Sequence, residues 1–219
     1  MDAMQTITAR RSIRAYKADP VPKEILEKVL DTARFAPSGS NTQPWEFLVV
    51  SGKKFDEIKQ ALEEKLSSGE KKRPDVPIPD YPEKYLSRRK GLVRLMLEKM
   101  KITRADAKAR LGWGVANIRF FDAPHAVIIT VDRSIAPYAL MDVGIVIQTL
   151  ALAAHAHGLG TCIQAMVTTF PDVLRKSLDI PGTKLIALGM AVGYPDLNAP
   201  INTLERSREP LENFTTWHT

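Results

Sequence analysis

The stretch from Tyr138 to His157 places the strongest constraint on this 219-residue chain. Its apolar residues wrap most of a helical circumference, so a helix here has little face to offer to water and should sit centrally. A membrane span is the other home for such a helix. The most apolar part, Ala139 to Gly158, is interrupted by Asp142, Gln148, His155 and His157. It lacks the roughly 18 uninterrupted apolar residues of a span. Gly158 ends the helix in the usual glycine position.

The remaining elements are legible from spacing. Met1 to Arg10 reads as a short helix. Beyond Pro22, Ile25, Leu26, Val29, Leu30, Ala33 and Phe35 recur at three- and four-residue intervals, an amphipathic helix that Pro37 ends. Glu46 to Val50 is a strand, and Lys53 to Leu66 a second amphipathic helix with Phe55, Ile58, Ala61, Leu62 and Leu66 on one face. Four prolines in nine residues (Pro74, Pro77, Pro79, Pro82) then disfavour regular structure. Helical spacing resumes at Leu92, Leu95, Met96 and Met100. Ala126–Val131, Leu159–Ala165 and Lys184–Val192 read as strands and Pro171–Leu178 as a helix. Asn198 to Thr219 reads as an extended tail with little self-packing that lies on another surface, such as a partner subunit. Strands alternating with helices indicate an α/β or α+β fold.

Composition narrows the function classes. Hydrophobic residues at 44% and charged residues at 26% are the balance of a water-soluble domain. A single cysteine, Cys162, excludes an intramolecular disulfide. With Asp2 and no apolar leader at the N-terminus, a cytoplasmic location is expected. The net charge of +6 is unevenly placed: from Lys84 to Arg110 ten Lys/Arg face only Glu98 and Asp106, leaving the rest of the chain near −2. That segment carries Tyr85 and Trp113 but no interleaved aromatic pattern, so nucleic-acid binding is disfavoured and no membrane partner is expected.

Three segments carry candidate chemistry. Arg10, Arg11, Ser12 and Arg14 put three guanidinium groups and a hydroxyl in five residues, and guanidinium forks match phosphate oxygens. Arg206-Ser207-Arg208 is a second small cluster. Both would serve equally as solvated charge runs. The loop Pro37-Ser38-Gly39-Ser40-Asn41-Thr42-Gln43-Pro44-Trp45 is fixed, extended and rich in hydrogen-bonding groups, which suits a flat heterocycle. Gly158-Leu159-Gly160 lacks the third glycine of a dinucleotide fingerprint and follows a helix where that fingerprint needs a strand. His155 and His157 point in different directions and do not chelate a metal. There is no His-x-x-x-His, Cys-x-x-Cys or Gly-x-Ser-x-Gly. Cys162 reads as a small buried residue, and Asp142 as a satisfied polar contact without a role.

Taken together, the arginine cluster, the Pro37–Trp45 loop and the Gly158–Met166 segment resemble the nitroreductase family of flavin mononucleotide (FMN) enzymes. The resemblance covers about residues 5–52 and 120–212. It implies an α+β fold with a mixed sheet flanked by helices, and an intertwined homodimer with two FMN sites. The chain would be one domain, 1–219, with a basic lid-like excursion at about 67–113. Arg10, Arg11, Ser12, Arg14, Arg206 and Arg208 would hold the phosphate, with Arg14 also a candidate for the N1/C2 carbonyl edge. Pro37, Ser38, Gly39, Ser40, Asn41 and Gln43 would reach a flavin bound mainly by the other chain. Gln164, Ala165 and Met166 would lie beside the ring, although many relatives carry Glu-Gly where Ala165-Met166 stand. The implied reaction passes two electrons from NADPH or NADH to a nitroaromatic or related small oxidant, an anionic aromatic among them. No catalytic side chain and no metal are implied. Quinone or enone reduction, reductive dehalogenation and flavin fragmentation are the alternatives on the same scaffold.

Overall fold

The computed structural model describes residues 2–103 and 105–219. Met1 and Arg104, included in the readings above, lie outside the described residues. Helix α1 (Ala3–Ala9) opens with a capping box: Asp2 accepts from the Gln5 backbone N–H, and the Gln5 side chain accepts from the Asp2 N–H. Then follow α2 (Lys23–Ala33), β1 (Trp45–Ser51), α3 (Gly52–Ser67), α4 (Glu83–Lys99), α5 (Ala107–Ile118), β2 (His125–Asp132), α6 (Ala139–Ala156), β3 (Gly160–Gln164), α7 (Pro171–Leu178) and β4 (Lys184–Gly193).

The four strands form one sheet in the order β1-β2-β4-β3, and every neighbouring pair is antiparallel. The mixed sheet expected above is therefore antiparallel across its strands. Among the described residues, parallel pairing enters only as an isolated bridge between Ser12 and Thr161, which lays the arginine segment beside β3.

Both faces of the sheet are covered, which is why the strands read as continuous apolar runs. Alternation along β2 sends Val127, Ile129 and Val131 to a core shared with α2 and α6, and Ala126 and Ile128 to a second core with α3, α5 and α7. Gly189 lets the second core close, because a Cβ there would lie 2.4 Å from Val167 Cγ2.

Several expectations change in detail. Helix α2 ends at Ala33 rather than at Pro37, so Phe35 falls past the helix and is 75% exposed. Its spacing matches the apolar stripe, but the Phe35 and Ala36 N–H groups donate three residues back, to Thr32 O and Ala33 O, and Pro37 has no N–H with which to resume the ladder. Helix α6 packs against α2 and the sheet on one side only. Met141, Gly144 and Ile145 stay exposed on the other, so an apolar circumference here means a second surface to be covered. By length and composition α6 could cross a membrane, and half of that window is buried inside the fold. In α4 only Met96 is buried, while Leu92 and Leu95 are exposed. Helix α3 buries Phe55, Ile58 and Leu62 as its spacing indicates, and Pro171–Leu178 is α7 as read. The tail has only two short 3-10 turns, Pro200–Thr203 and Leu211–Asn213, and exposes Leu211, Phe214 and Trp217.

Candidate functional site

The two termini meet at one end of β3. The Ile13 N–H donates to Thr161 O at 2.8 Å, and Gly160 is required there, since a Cβ would lie 2.7 Å from Ile13 Cγ1. From the other terminus, Asn202 reaches the same segment. Its Oδ1 accepts the Arg14 N–H at 2.7 Å, and its Nδ2 donates to Ala15 O and Asp196 O, both at 2.8 Å. Asn202 is 4% exposed, and nothing in its local sequence marks it. It is the pin that brings Arg206 and Arg208 to Arg10.

The result is a knot of positive charge. Arg10, Arg11, Arg14 and Arg206 are half-buried and Arg208 is exposed. Among the described residues, none of the five pairs with a carboxylate. Burial, and after it the Arg208 charge, holds Arg10 below its usual value; burial and then Arg208, Arg11 and Arg10 do the same to Arg206. Arg206 is satisfied by backbone, donating to Thr8 O at 3.1 Å and to Arg10 O. Arg11 Nη1 donates to Asn202 O at 3.4 Å and Arg14 Nη1 to Ser12 O at 3.3 Å. Arg10 Nε is buried with no partner. A cavity of about 470 Å³ opens beside Arg10 and Arg11, walled by His155, Leu159 and Thr161. Such an arrangement is poised for an anion: like charges converge, Arg10 and Arg206 among them desolvated, without a carboxylate to compensate them.

His155 at the end of α6 was not expected to belong here, yet it is held below its usual value by burial first, then by Arg10, Arg11 and Arg206. His125 is lowered by burial alone, and its Nε2 accepts the Val21 N–H at 2.9 Å. The sign follows directly. A lowered folded value means the unfolded chain binds more protons, so their contribution is intact above about pH 6.5 and is lost as pH falls below it. The apo protein should therefore melt at lower temperature at about pH 5.5 than at about pH 7.5, and inorganic phosphate should recover part of the loss by countering the charge around His155. A phosphate-independent melting profile across that range would detach His155 from the cluster.

Cys162 lies under the cluster, buried, with its thiol pushed up to about 11 by burial against the opposing pull of Arg14 and Arg10. It is a packing residue, as expected.

The second candidate segment follows β3. Ala165 is exposed and Met166 half-buried, about 13 Å from Thr161 along a strand rising 3.3 Å per residue. Gln164 is turned inward: it is 5% exposed, and its Nε2 donates to Asn117 O at 2.7 Å and to Asn117 Oδ1 at 3.0 Å, leaving Oε1 buried without a partner. It ties β3 to α5.

The third segment is held elsewhere. Ser40, Asn41 and Gln43 adopt left-handed backbone at φ 49, 58 and 47°. For Ser40 and Gln43 this costs about 1–2 kcal/mol each, while asparagine tolerates it better, and such strain persists only where surroundings over-determine it. Here the Gln43 N–H donates to Ser38 Oγ at 2.9 Å, Gln43 Nε2 to Asn41 O at 3.0 Å, and the Gly39 N–H to Asp142 Oδ1 at 3.1 Å. Gly39 lies against the Tyr138 ring, where a Cβ would come within 3.0 Å. Asp142 thus has a role that its sequence context did not disclose: buried at the start of α6, it anchors the loop. Pro37 and residues 40–43 are exposed.

The arginine cluster surrounds His155 and the loop is fastened to Asp142. The thirteen residue steps of α6 from Asp142 to His155 span about 20 Å at 1.5 Å per residue. One chain therefore presents the two halves of the expected site at opposite ends of its long helix.

The sequence model of the Nitroreductase family matches residues 7–194. The chain belongs to the nitroreductase family. It is 33% identical to a 4-nitrobenzoate reductase of Pseudomonas putida, over 95% of this chain and 92% of that protein. It is 33% identical to a nitrobenzene nitroreductase of Ectopseudomonas oleovorans, over 96% and 94%. The crystal structure of the FMN-dependent nitroreductase NfnB from Mycobacterium smegmatis in complex with NADPH superimposes with a TM-score of 0.94 at 30% identity, covering 99% of this chain and 98% of that one.

Proposed function

We propose that this nitroreductase is an FMN-dependent, NAD(P)H-oxidising enzyme that reduces small nitroaromatics. The observation that carries this reading is the arginine knot, five uncompensated guanidinium groups gathered from both termini. Its donor set fits a phosphate monoester. Arg10, Arg11, Ser12, Arg14 and Arg208 would hold that phosphate, with Arg206 keeping the tail against α1. Ala165 and Met166 would then flank the ring, with Gln164 bracing β3 against α5 behind them, and Arg14 is the candidate positive charge for its pyrimidine edge. When bound, FMN supplies the chemistry, accepting a hydride from a nicotinamide and passing two electrons to the oxidant. The protein binds, orients and shields, and no side-chain acid or base is assigned. A yellow protein that is bleached by NADPH or NADH and reoxidised by a nitroaromatic is the direct test. Comparing the two nucleotides in that reductive half-reaction identifies the donor.

The loop Pro37–Gln43 serves the flavin of a partner chain in this reading, because about 20 Å of α6 separates it from its own arginine knot. Three surfaces on this chain await such a partner: the apolar stripe of α6 at Met141 and Ile145, the unpaired outer edge of β1, and the exposed tail with Phe214 and Trp217. The protein is expected to purify as a homodimer with one FMN per chain. Light scattering that found a monomer retaining stoichiometric FMN would overturn the shared site.

Residues 67–113 act as a basic lid over the oxidant in this reading. The positive excess favours anionic aromatics through field focusing, and two relatives bear the name 4-nitrobenzoate reductase. The excess is smaller in space than in sequence, since Arg88 pairs with Glu209 from outside the segment. The ratio of kcat/KM for nitrobenzoate to that for nitrobenzene should shrink as the Debye length falls from about 30 Å at 0.01 M salt to about 10 Å at 0.1 M. A ratio near one at every salt concentration removes the lid charge from the account of specificity.

A further inference from the structure

The proline-rich stretch between α3 and α4 is a strap pinned to the core. The Arg73 N–H donates to Thr169 O at 3.0 Å. Two residues on, Asp75 pairs with Arg133 at 2.7 Å and with Arg175, and accepts the Ile186 N–H at 2.8 Å. Just before these pins, Lys71 and Arg73 line one depression, of about 370 Å³, with Phe170 and Pro171. Lys72 between them does not line that depression. Its Nζ stops 3.8 Å from Met166 Sδ.

A thioether is a weak acceptor and compensates little charge. The carboxylates close by in sequence and space are already used: Lys65 takes Glu70 at 2.7 Å and Asp172 at 2.9 Å. Among the described residues Lys72 pairs with no carboxylate. A pinned, unpaired cation therefore stands at the open edge formed by exposed Ala165 and half-buried Met166. Lys72 is itself exposed, and its contact with Met166 is what separates it from the cations of α4, which pair, stack on a ring as Arg89 does on Tyr81, or lie along the helix face.

We propose that Lys72 is a specificity-determining residue that captures the carboxylate of an aromatic oxidant and so makes nitrobenzoates the preferred substrate class. This rests on the reading that Ala165 and Met166 flank the flavin. The ammonium is a compact point charge on a flexible stem, so it can follow a carboxylate without the fixed bidentate geometry of a guanidinium. It acts by contact, and this separates it from the diffuse field of the lid.

The test compares Lys72→Gln, Lys72→Arg and Lys99→Gln. Lys99 is an exposed cation at the end of α4 and serves as an equal loss of lid charge. At 0.1 M salt, Lys72→Gln should lower the nitrobenzoate-to-nitrobenzene ratio of kcat/KM about five- to tenfold, the scale of a partly exposed hydrogen bond to a charged group. Benzoate affinity, measured by calorimetry on the FMN-loaded protein, should fall by a similar factor, with benzamide affinity much less affected. Lys72→Arg should recover most of the ratio, and Lys99→Gln should move it less than twofold. An unchanged ratio in Lys72→Gln, or equal losses in Lys72→Gln and Lys99→Gln, would overturn the contact. A wild-type protein that neither holds FMN nor reduces any nitroarene would instead remove the functional reading, and this inference with it.

Discussion

Replacing Arg10 or Arg208 by Ala should weaken FMN retention about tenfold to a hundredfold each, because each loses charge-assisted hydrogen bonds worth about 1.5–3 kcal/mol. Riboflavin, which lacks the phosphate, should be much less affected. The structure adds a second signature. In the apo protein the Arg10 and Arg208 charges oppose one another and hold Arg10 below its usual value, after burial. Relieving that repulsion should leave the apo variants as stable as the wild type or slightly more so. Lost cofactor with unharmed stability is the pattern of a binding residue. Arg206→Ala should behave otherwise, since its guanidinium ties the tail to the carbonyls of Thr8 and Arg10. It should cost apo stability and weaken FMN and riboflavin alike. Equilibrium dialysis with both flavins, beside thermal melts of the apo proteins, separates the cases. Equal losses for FMN and riboflavin in Arg10→Ala would make Arg10 a structural residue.

The elements were legible where one period dominates. Phe55, Ile58 and Leu62 in α3, and the Pro-initiated α7, follow from spacing because each packs one face against one neighbour. The apolar run of α6 was legible as a helix, but its surroundings were not. Periodicity reports that every face is apolar and does not say whether the chain itself or another copy covers each face. Phe35 fits the α2 period and still lies outside the helix, because termination depends on local turn hydrogen bonds and not on the apolar pattern. Strand direction was beyond the pattern as well: buried strands read alike whether their neighbours run parallel or antiparallel.

The candidate site divides in the same way. Arg10, Arg11, Ser12 and Arg14 are visible as a cluster because they lie within five residues, whereas the Ser38–Gln43 stretch, read as a fixed, extended loop, is fixed but not extended: Gly39–Asn41 is a 3-10 turn with left-handed residues around it. What holds these pieces was not visible. Asn202 pins the termini together across 188 residues, Asp142 anchors Gly39 across 103, and Gln164 looks inward to Asn117. Single polar residues with distant backbone partners leave no local trace. The strap gave the largest difference of this kind: proline content marked residues 67–82 as irregular, and irregular backbone is here fixed backbone.

Asp75 makes that fixation, and its removal should have the largest structural effect of any substitution outside the two cores. Its side chain is 10% exposed, set between Arg133 and Arg175, and it also accepts the Ile186 N–H at the start of β4. Asp75→Ala leaves two guanidinium groups without their counterion and a partly buried amide without its acceptor. Breaking a buried ion pair from one side typically costs about 3–5 kcal/mol. Arg133 is 42% exposed and recovers some hydration, so the lower end applies, about 3 kcal/mol. For a chain of this length that corresponds to a fall of roughly 6–12 °C in melting temperature. Asp75→Asn should fall between, since an amide oxygen can still accept from Ile186 while the charge is lost. The functional consequence is directional. The prolines keep the unfolded strap stiff, so little entropy opposes docking and one carboxylate suffices to hold it. Without that carboxylate, Lys71 and Lys72 should become sites of rapid trypsin cleavage, Arg73 being protected by Pro74, and any discrimination that depends on a positioned Lys72 should decline with them. Melting within about 2 °C of the wild type, with unchanged cleavage, would show that the strap is held by its prolines and the Arg73–Thr169 bond alone.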